Sequence, residues 1–588
     1  MPTLCRTRFL LLLALVLTTA ASAALPSAPA RPPLTKLEID AITQLVMLED
    51  TRRFDETTLA RILRSIHPEV RRRAVQAVGR IVNEHGRALL ESMRADPDTE
   101  VVATVAFASG QLKDPASVSW LTSLLSSPKT PASVAKEAAC ALGKIRSPQA
   151  RAALEQYLDS APTTPAAAPI VGEALLSIGR FPAPAYLEPI VRWTTSPDGE
   201  VRWRAAWALF RPRDPKAFAP LLALSEDTSA DVRFWAVRGL APPPNGRVAS
   251  IIGAVPAPLP ALVDDPNFDR ARASARLRDA LKDPDRRVRT EALRALVLYD
   301  DDASFAAALA ALDSADTWMS VSAAEQMGRF TTRKDVVVPK LVAAADAKRP
   351  TALRITALAP LQTLAPEAAV AVAEALARDP KSVTARNAGR QALGRLGAPG
   401  RAALDAITAD PAMKDLLPTA AGGAAQRPAV PPRTEADYRR IVEKWIVPDY
   451  NGAPKPHAIW DTPKGQIEIE LYPGDAPLGL EEFVRVVESG SIVGTEFSRV
   501  VPNFVDQQAT IRDARLLRDE VNRHGLTRGN LAWASSGLDT GRPGYTLGNT
   551  PQPHNEGDFT ALGRVVRGMD VVDRIELGDR ITGARMIR

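Results

Sequence analysis

Apolar residues recur at helical spacing between residues 35 and 410 of the chain. After Val70-Arg71, for example, Ala74, Val75, Val78 and Ile81 share one face of a helix that has about 3.6 residues per turn. The same arrangement follows other copies of a short polar turn, and apart from two intervals these copies lie 30 to 33 residues apart. The central apolar residue of each copy is found at Val70, Val101, Val134, Val171, Val201, Val232, Val288, Val321, Leu353 and Val383.

The polar turns explain why each unit begins a helix. Asp96-Pro97 and Asp283-Pro284 place an aspartate at the helix N-cap and a proline at the first helical position, where its missing N–H is not needed. One pair of helices cannot bury its own apolar face, so successive pairs must stack. We therefore predict an α-solenoid of helical hairpins over residues 35–410. It resembles HEAT repeats of the bacterial HEAT-like type in its Asp-Pro, Val-Arg and Ala141-Leu142-Gly143 elements.

An aromatic cluster lies on two consecutive repeats and consists of Trp203, Trp207, Phe234 and Trp235. These side chains fill the core at repeat junctions or line a concave binding surface. We favour the core interpretation.

The composition changes after the repeats, and residues 411–456 are predicted to be a linker with a short helix. Residues 420–432 are rich in Ala, Gly and Pro, a composition that favours an extended linker and relative motion of the two halves of the chain. Thr434 has the features of a helix N-cap, and the helix that it begins is expected to continue to Trp445 and to end at Pro448.

A β-domain is predicted over residues 457–588. Its most informative segment contains Arg499, which is followed by Val500-Val501, a strand-favouring pair, and by Pro502-Asn503, which breaks the strand. Arg499 is then expected at a strand end beside the apolar ring of Phe504. A fixed cation next to an apolar surface suits binding of a small apolar residue, such as proline in a peptide, and polarisation of one polar atom on it. The alternative is that Arg499 is a structural ion-pair residue.

The neighbouring motifs favour the binding interpretation, because the segment resembles the cyclophilin family of peptidyl-prolyl cis-trans isomerases. The family hallmark contains Phe-His-Arg, two apolar residues, Pro-Gly-Phe, two further residues and Gln-Gly-Gly. Matching motifs follow in the family's order, namely residues 465–473, Ala476-Pro477 with Glu481-Glu482-Phe483, residues 496–507, residues 529–534 and residues 562–572. The resemblance implies a closed β-barrel with flanking helices and activity on X-Pro bonds.

The resemblance also implies which residues form the site. Arg499 matches the family's catalytic arginine, and the matching substrate-binding positions are Phe504, Val505, Gln507, Ala534, Ser535, Thr546, Asn555 and Phe559. Several of these positions depart from the family pattern. Thr546 replaces the inner pocket phenylalanine, Asn555 a leucine and Phe559 a histidine, while Gly544 replaces a glutamine and Ser498 the hallmark histidine.

The N-terminus indicates an extracytoplasmic protein. In residues 1–23, Arg6 and Arg8 precede a short apolar run, and Ala21-Ser22-Ala23 provides a small-residue cleavage site, so this segment is predicted to be a signal peptide. The apolar run is short for a bilayer. No other stretch is apolar enough to cross one, so the mature chain is expected to have no membrane span and to be secreted or periplasmic. A retained N-terminal anchor is the alternative.

Composition excludes several other functions. The 74 Lys and Arg against 68 Asp and Glu give a mildly basic chain, which is not typical of nucleic-acid binding. The 5 histidines are scattered without metal-ligand spacing, so neither a metal nor a cofactor is expected. Cys140 lies among small apolar residues and is interpreted as a core residue.

Two hypotheses follow from the sequence. In the first, the protein is a peptidyl-prolyl isomerase that acts on proline-containing polypeptides, while its solenoid binds clients or other proteins. In the second, the cyclophilin-like domain has little or no turnover and serves as a proline-peptide binding module on a HEAT scaffold. Arg499, Phe504 and Gln507 favour the first hypothesis, whereas Gly544, Thr546 and Phe559 favour the second.

Overall fold

The computed structural model describes residues 32–587 apart from 183–186, 243–263, 415, 417–431, 512–514, 516 and 536. The predicted signal peptide therefore lies outside the described residues, as does most of the Ala/Gly/Pro-rich segment 420–432 of the predicted linker.

The helices of the N-terminal region form a stack of repeated pairs, as predicted. Odd-numbered helices from α1 to α21 lie side by side in one layer, each in contact with the next, and most even-numbered helices cover the other side. The helices are α1 Lys36–Thr51, α2 Glu56–Leu63, α3 Pro68–Ile81, α4 Gly86–Ser92, α5 Thr99–Gln111, α6 Val118–Ser126, α7 Ala132–Ile145, α8 Pro148–Ser160, α9 Ala168–Ile178, α10 Glu188–Val191, α11 Gly199–Phe210, α12 Phe218–Leu224, α13 Ala230–Gly239, α14 Arg270–Ala280, α15 Arg286–Leu296, α16 Asp302–Leu312, α17 Thr317–Met327, α18 Lys334–Ala344, α19 Thr351–Leu364, α20 Pro366–Ala377, α21 Val383–Arg395 and α22 Gly397–Ala409.

The capping aspartate of the repeat is not the one that the sequence pattern predicts. In the Asp-Pro-Asp turns, the second aspartate is the N-cap, so Asp98 accepts hydrogen bonds from the backbone N–H groups of Glu100 and Val101. The first aspartate instead pairs with the arginine of the preceding repeat, since Arg71 Nε lies 2.7 Å from Asp96 Oδ2. The predicted N-cap was therefore wrong by two residues, because the first aspartate forms an ion pair with the preceding repeat instead of capping the helix.

This arginine–aspartate pair recurs along the stack. The Arg202–Asp227, Arg233–Asp283, Arg289–Asp316 and Arg354–Asp379 pairs repeat it, with distances of 2.6 to 3.0 Å. The Val-Arg element of the repeat thus supplies the apolar residue for the core and a link to the next unit.

The aromatic cluster belongs to the core. Trp203, Trp207, Phe234 and Trp235 are all buried, which confirms the core interpretation. Cys140 is partly buried in the same layer of helices, and burial raises the pKa of its thiol to about 12.

A short helical segment joins the two halves of the chain. It comprises α23 Glu435–Ile441, a π-helical turn Val442–Ile446 and α24 Val447–Tyr450. Thr434 caps it as predicted, accepting a hydrogen bond from the backbone N–H of Asp437. Pro448 does not end the segment, since it lies in the first turn of α24, where a proline is tolerated.

The C-terminal domain is a curled antiparallel sheet of eight strands with the order β3-β4-β6-β5-β7-β2-β1-β8. Trp460, Phe483, Trp533 and Tyr545 fill its concave side. Its elements are β1 His457–Thr462, β2 Gly465–Leu471, α25 Pro477–Glu488, β3 Phe497–Val501, β4 Val505–Gln508, β5 Asn530–Ala534, β6 Arg542–Gly548, β7 Ala561–Arg567, α26 Met569–Val572 and β8 Gly583–Ile587.

A closed barrel, which the resemblance implies, is not confirmed. Among the described residues the edge strands β3 and β8 do not form a ladder with each other. Backbone hydrogen bonds do join the start of β3 to the segment before β8, since Phe497 N–H donates to the carbonyl of Asp579 and Ile581 N–H to that of Thr495.

The solenoid contacts the sheet domain directly through its layer of odd-numbered helices. Arg73 and Arg80 of α3 donate to the backbone carbonyls of Gly474 and Val521, at 3.0 and 2.9 Å. Arg294 of α15 donates to the carbonyl of Pro502 at 2.9 Å. Buried arginines that bond to carbonyls across this contact hold the two halves together. Relative motion of the two halves, expected from the linker composition, would have to break these contacts.

Candidate functional site

Arg499 lies on the outer face of β3 at the edge of the sheet. Its guanidinium carbon is 5.4 Å from the centre of the Phe504 ring, and its Nη1 donates a long hydrogen bond of 3.4 Å to Gln507 Oε1. The side chain is half-buried, and this burial lowers the pKa of Arg499 below its ordinary value. Arg499 has no carboxylate within ion-pairing distance in the part of the chain that the structure describes, so it does not have the structural ion-pair role.

The strand register brings three of the predicted residues into one row. Arg499 of β3 pairs with Gln507 of β4, which pairs with Thr546 of β6, and Thr546 pairs with Ala532 of β5. Residues paired in this way point to the same side of a sheet. Thr546 Oγ1 is 3.4 Å from the carbonyl oxygen of Ala532, so its hydroxyl faces the neighbouring strand.

The turn between β3 and β4 is held by the solenoid. Asn503 has a positive φ of 62°, a conformation that asparagine tolerates better than most residues. Its side-chain amide donates to the carbonyl of Arg287 at 2.9 Å and to the carboxylate of Glu291 at 3.2 Å, both in α15. Phe504 follows this turn directly, so the solenoid fixes the backbone that presents its ring.

A second loop reaches the site beside Phe504. The His554 ring centre lies 6.2 Å from that of Phe504, and Gln552 donates a hydrogen bond of 3.0 Å to the Phe504 carbonyl oxygen. Asn555 donates to Gln552 Oε1 at 2.9 Å, which places this predicted residue in the same loop. The loop therefore forms a second wall of the site.

The remaining predicted residues lie around this centre or apart from it. Val505 is buried in β4. Ala534 ends β5 and is followed by Ser535, whose buried hydroxyl has no hydrogen-bond partner among the described residues. Phe559 packs against a small cluster formed by Tyr472, Leu526 and Ala561. In the strand register Ala532 lies between Ala561, which Phe559 contacts, and Thr546.

Sequence reasoning missed His554 and the solenoid side chains near it. Enclosure by surrounding protein, together with the positive charges of Arg211, Arg238 and Arg180, lowers the pKa of His554 to about 4. The imidazole is therefore neutral near pH 7. The only signal in the sequence was the position of His554 directly before Asn555, because the three arginines are more than 300 residues away in the chain.

The described residues include no cluster of three or more His, Cys, Asp or Glu side chains suited to a metal ion. Of the helices in the described ranges, none combines the length and apolar character needed to span a bilayer.

Comparisons with known proteins match the two halves separately. A family model described as cyclophilin type peptidyl-prolyl cis-trans isomerase/CLD matches residues 458–587, and a model for HEAT repeats matches residues 86–171 and 168–241. A peptidyl-prolyl cis-trans isomerase of Synechococcus elongatus is 30% identical over 138 residues, which cover 22% of this chain and 95% of that protein. Peptidyl-prolyl cis-trans isomerase B of Bacillus subtilis is 32% identical over 133 residues, which cover 21% and 90%.

Among solved structures, a cyclophilin type isomerase of Cryptosporidium parvum is similar to this chain with 16% identity and a TM-score of 0.22, covering 23% of this chain and 98% of that one. Through its C-terminal domain the chain belongs to the cyclophilin-type peptidyl-prolyl cis-trans isomerase family, and the helical region before this domain contains HEAT repeats.

Proposed function

We propose that the C-terminal domain catalyses cis–trans isomerisation of X-Pro bonds in polypeptides. Rotation about such a bond must overcome a barrier of about 18–20 kcal/mol, which arises from amide resonance. The proline nitrogen becomes pyramidal and basic only at the transition state. A donor held close to it therefore stabilises the transition state more than the ground state, and this difference accelerates the reaction.

The observation that carries this proposal is the environment of Arg499. The guanidinium is half-buried, lies over the Phe504 ring and is not neutralised by any carboxylate of the described chain. A preorganised donor in a partly desolvated site costs little reorganisation when charge develops. In the proposed mechanism Phe504 contacts the proline ring, Gln507 holds the preceding carbonyl, and Arg499 donates toward the proline nitrogen.

The proposal extends to the whole chain. Residues 1–23 direct it out of the cytoplasm, where it acts on secreted or periplasmic polypeptides, and the HEAT region binds these clients or other proteins. The contact between the solenoid and the β3–β4 turn supports a joint role of the two halves, because Asn503 and Phe504 are adjacent.

Exchange NMR on an Ala-Pro tetrapeptide tests the isomerase directly, without a coupling protease that would digest the enzyme. The full-length wild-type protein should accelerate exchange between the cis and trans signals. Arg499→Ala should reduce this acceleration about 100- to 1,000-fold, as is typical for loss of a preorganised donor. Exposed Arg401 of α22 provides a matched control, and Arg401→Ala should leave the rate unchanged. Wild-type exchange no faster than that of the free peptide would contradict the proposal.

A proline-peptide binding module is the second candidate. It is favoured by the small, polar Thr546, which pairs with Gln507 and stands where the family resemblance implies an aromatic pocket residue. Saturable binding of the tetrapeptide without accelerated exchange would support this candidate over the enzyme.

A further inference from the structure

A cleft of about 570 Å³ separates Arg499 from the last repeats of the solenoid. Ser498, Arg499 and Leu577 form one wall, and helices α19 and α21 form the other. Arg499 therefore faces two features at once, the Phe504 ring on its own hairpin and the solenoid wall across the cleft. The site of the proposed isomerase is continuous with a surface that belongs to the other half of the chain.

Thr384 on the solenoid wall of this cleft donates to Glu496 at 2.8 Å, but four other polar side chains of the wall have no such partner among the described residues. Asn387, Gln391 and Arg395 follow one another at intervals of four residues along α21, so they form one exposed stripe, and Gln362 of α19 lies beside them. Within the described chain none of these four side chains makes a hydrogen bond or an ion pair. Other polar side chains of the layer of odd-numbered helices do contact the sheet domain, since Arg73, Arg80 and Arg294 all donate to its backbone carbonyls.

We propose that this cleft binds the main chain of the polypeptide substrate next to its proline residue. The inference rests on the proposed isomerase function and deepens it. A carboxamide both donates and accepts, so Asn387 and Gln391 match the alternating N–H and C=O groups of an extended backbone. Leu358 of α19 and Ala388 of α21 add apolar surface to the same wall, where small side chains of the bound polypeptide can pack. Recognition of this kind does not depend on sequence and selects unfolded chain over folded protein.

The length of the stripe sets the length of chain that it binds. Asn387 and Arg395 are eight residues apart, which corresponds to about 12 Å along a helix that rises about 1.5 Å per residue. An extended chain advances about 3.3 Å per residue, so the stripe spans about four substrate residues. A tetrapeptide centred on Ala-Pro cannot fill both the Arg499 site and this cleft, whereas a peptide of about twelve residues can.

The test compares two peptides on the full-length protein by exchange NMR. One is the Ala-Pro tetrapeptide, and the other is an unstructured twelve-residue peptide with the same Ala-Pro at its centre. Wild-type protein should isomerise the longer peptide faster. In the variant Asn387→Ala/Gln391→Ala the ratio of the two rates should fall about tenfold, because two hydrogen bonds of ordinary strength are lost. The control variant Gln149→Ala/Gln156→Ala removes two exposed carboxamides from α8 and should keep the wild-type ratio.

Two outcomes separate this inference from the proposed function. If wild-type protein isomerises both peptides and the cleft variant keeps the wild-type ratio, the cleft does not bind substrate. If wild-type protein isomerises neither peptide, the enzyme proposal fails, and fluorescence anisotropy with the labelled twelve-residue peptide then decides about the cleft. Weaker binding by the cleft variant than by the α8 control would support the site, and equal binding would overturn it.

Discussion

The side-chain amide of Asn503 donates a 2.9 Å hydrogen bond to the carbonyl oxygen of Arg287, although the two residues are 216 positions apart. This bond attaches the turn between β3 and β4 to helix α15 of the solenoid. Arg499 precedes the turn and Phe504 follows it, so the HEAT region takes part in positioning both residues of the candidate site.

Removal of this attachment should affect stability and activity together. Asn503→Gly keeps a residue that tolerates a positive φ but removes the bonds to Arg287 and Glu291. We expect the free energy of unfolding to fall by about 1–2 kcal/mol, since two buried acceptors lose their donor. Isomerisation of the tetrapeptide should slow as well, because the hairpin is less constrained. Asn267→Gly, in an exposed loop, is the matched control for urea unfolding and exchange NMR, and an equal effect of both variants would argue against the attachment.

The proline pocket should accept an aromatic residue at Thr546. Thr546→Phe adds apolar surface next to Gln507, and burial of that surface against proline should strengthen binding of the Ala-Pro tetrapeptide about tenfold. Chemical-shift titration measures the affinity. Thr408→Phe places the same ring on the exposed surface of α22 and should not change the affinity. Unchanged binding by Thr546→Phe would mean that this position does not line the proline pocket.

The buried ion pair between repeats should contribute more to stability than an exposed one. Arg354 Nη1 lies 2.6 Å from Asp379 Oδ2, and both side chains are buried. Arg354→Met leaves the carboxylate buried without its charged partner, which should lower the free energy of unfolding by about 3–5 kcal/mol. The Arg378–Asp410 pair is one third exposed, so Arg378→Met should cost only about 0–1 kcal/mol. Thermal and urea unfolding measure both variants, and similar losses would contradict this account of the repeat.

Stability should decrease between pH 4.5 and pH 7 because of Glu325. Burial raises the pKa of Glu325 from 4.5 to about 7, although Arg294 opposes this rise. Over this window the folded protein keeps a proton that the unfolded chain has released, so the free energy of unfolding falls as the pH rises. Burial also raises the pKa of Glu520 and that of Glu556 to about 7, so Glu325→Gln removes one of three such groups and should make the curve less steep. Exposed Glu367 provides the control, and a Glu367→Gln curve as flat as that of Glu325→Gln would exclude Glu325 as the cause.

The sequence alone determined the helical repeats of the first half and the β-strand character of the second, because the relevant signals are local. A valine that recurs every 30 to 33 residues defines the helical repeat wherever the helices finally lie. Ordered motifs likewise brought Arg499 of β3 beside the ring of Phe504, which precedes β4, and opposite Gln507 of β4. The exact cap of each repeat could not be predicted, since Asp96 and Asp98 are equivalent in the sequence pattern and only the contact with Arg71 of the preceding repeat distinguishes them.

Only the tertiary structure decided what surrounds the site. Whether Arg499 has an ion-pair partner and which helices face the cleft depend on contacts between residues more than a hundred positions apart or on separate strands. The curvature of a solenoid is the sum of small rotations between repeats, and no single repeat encodes it. The sequence therefore determined which repeats and strands form, whereas the placement of helices α15 and α21 against the β3–β4 hairpin follows from that accumulated curvature.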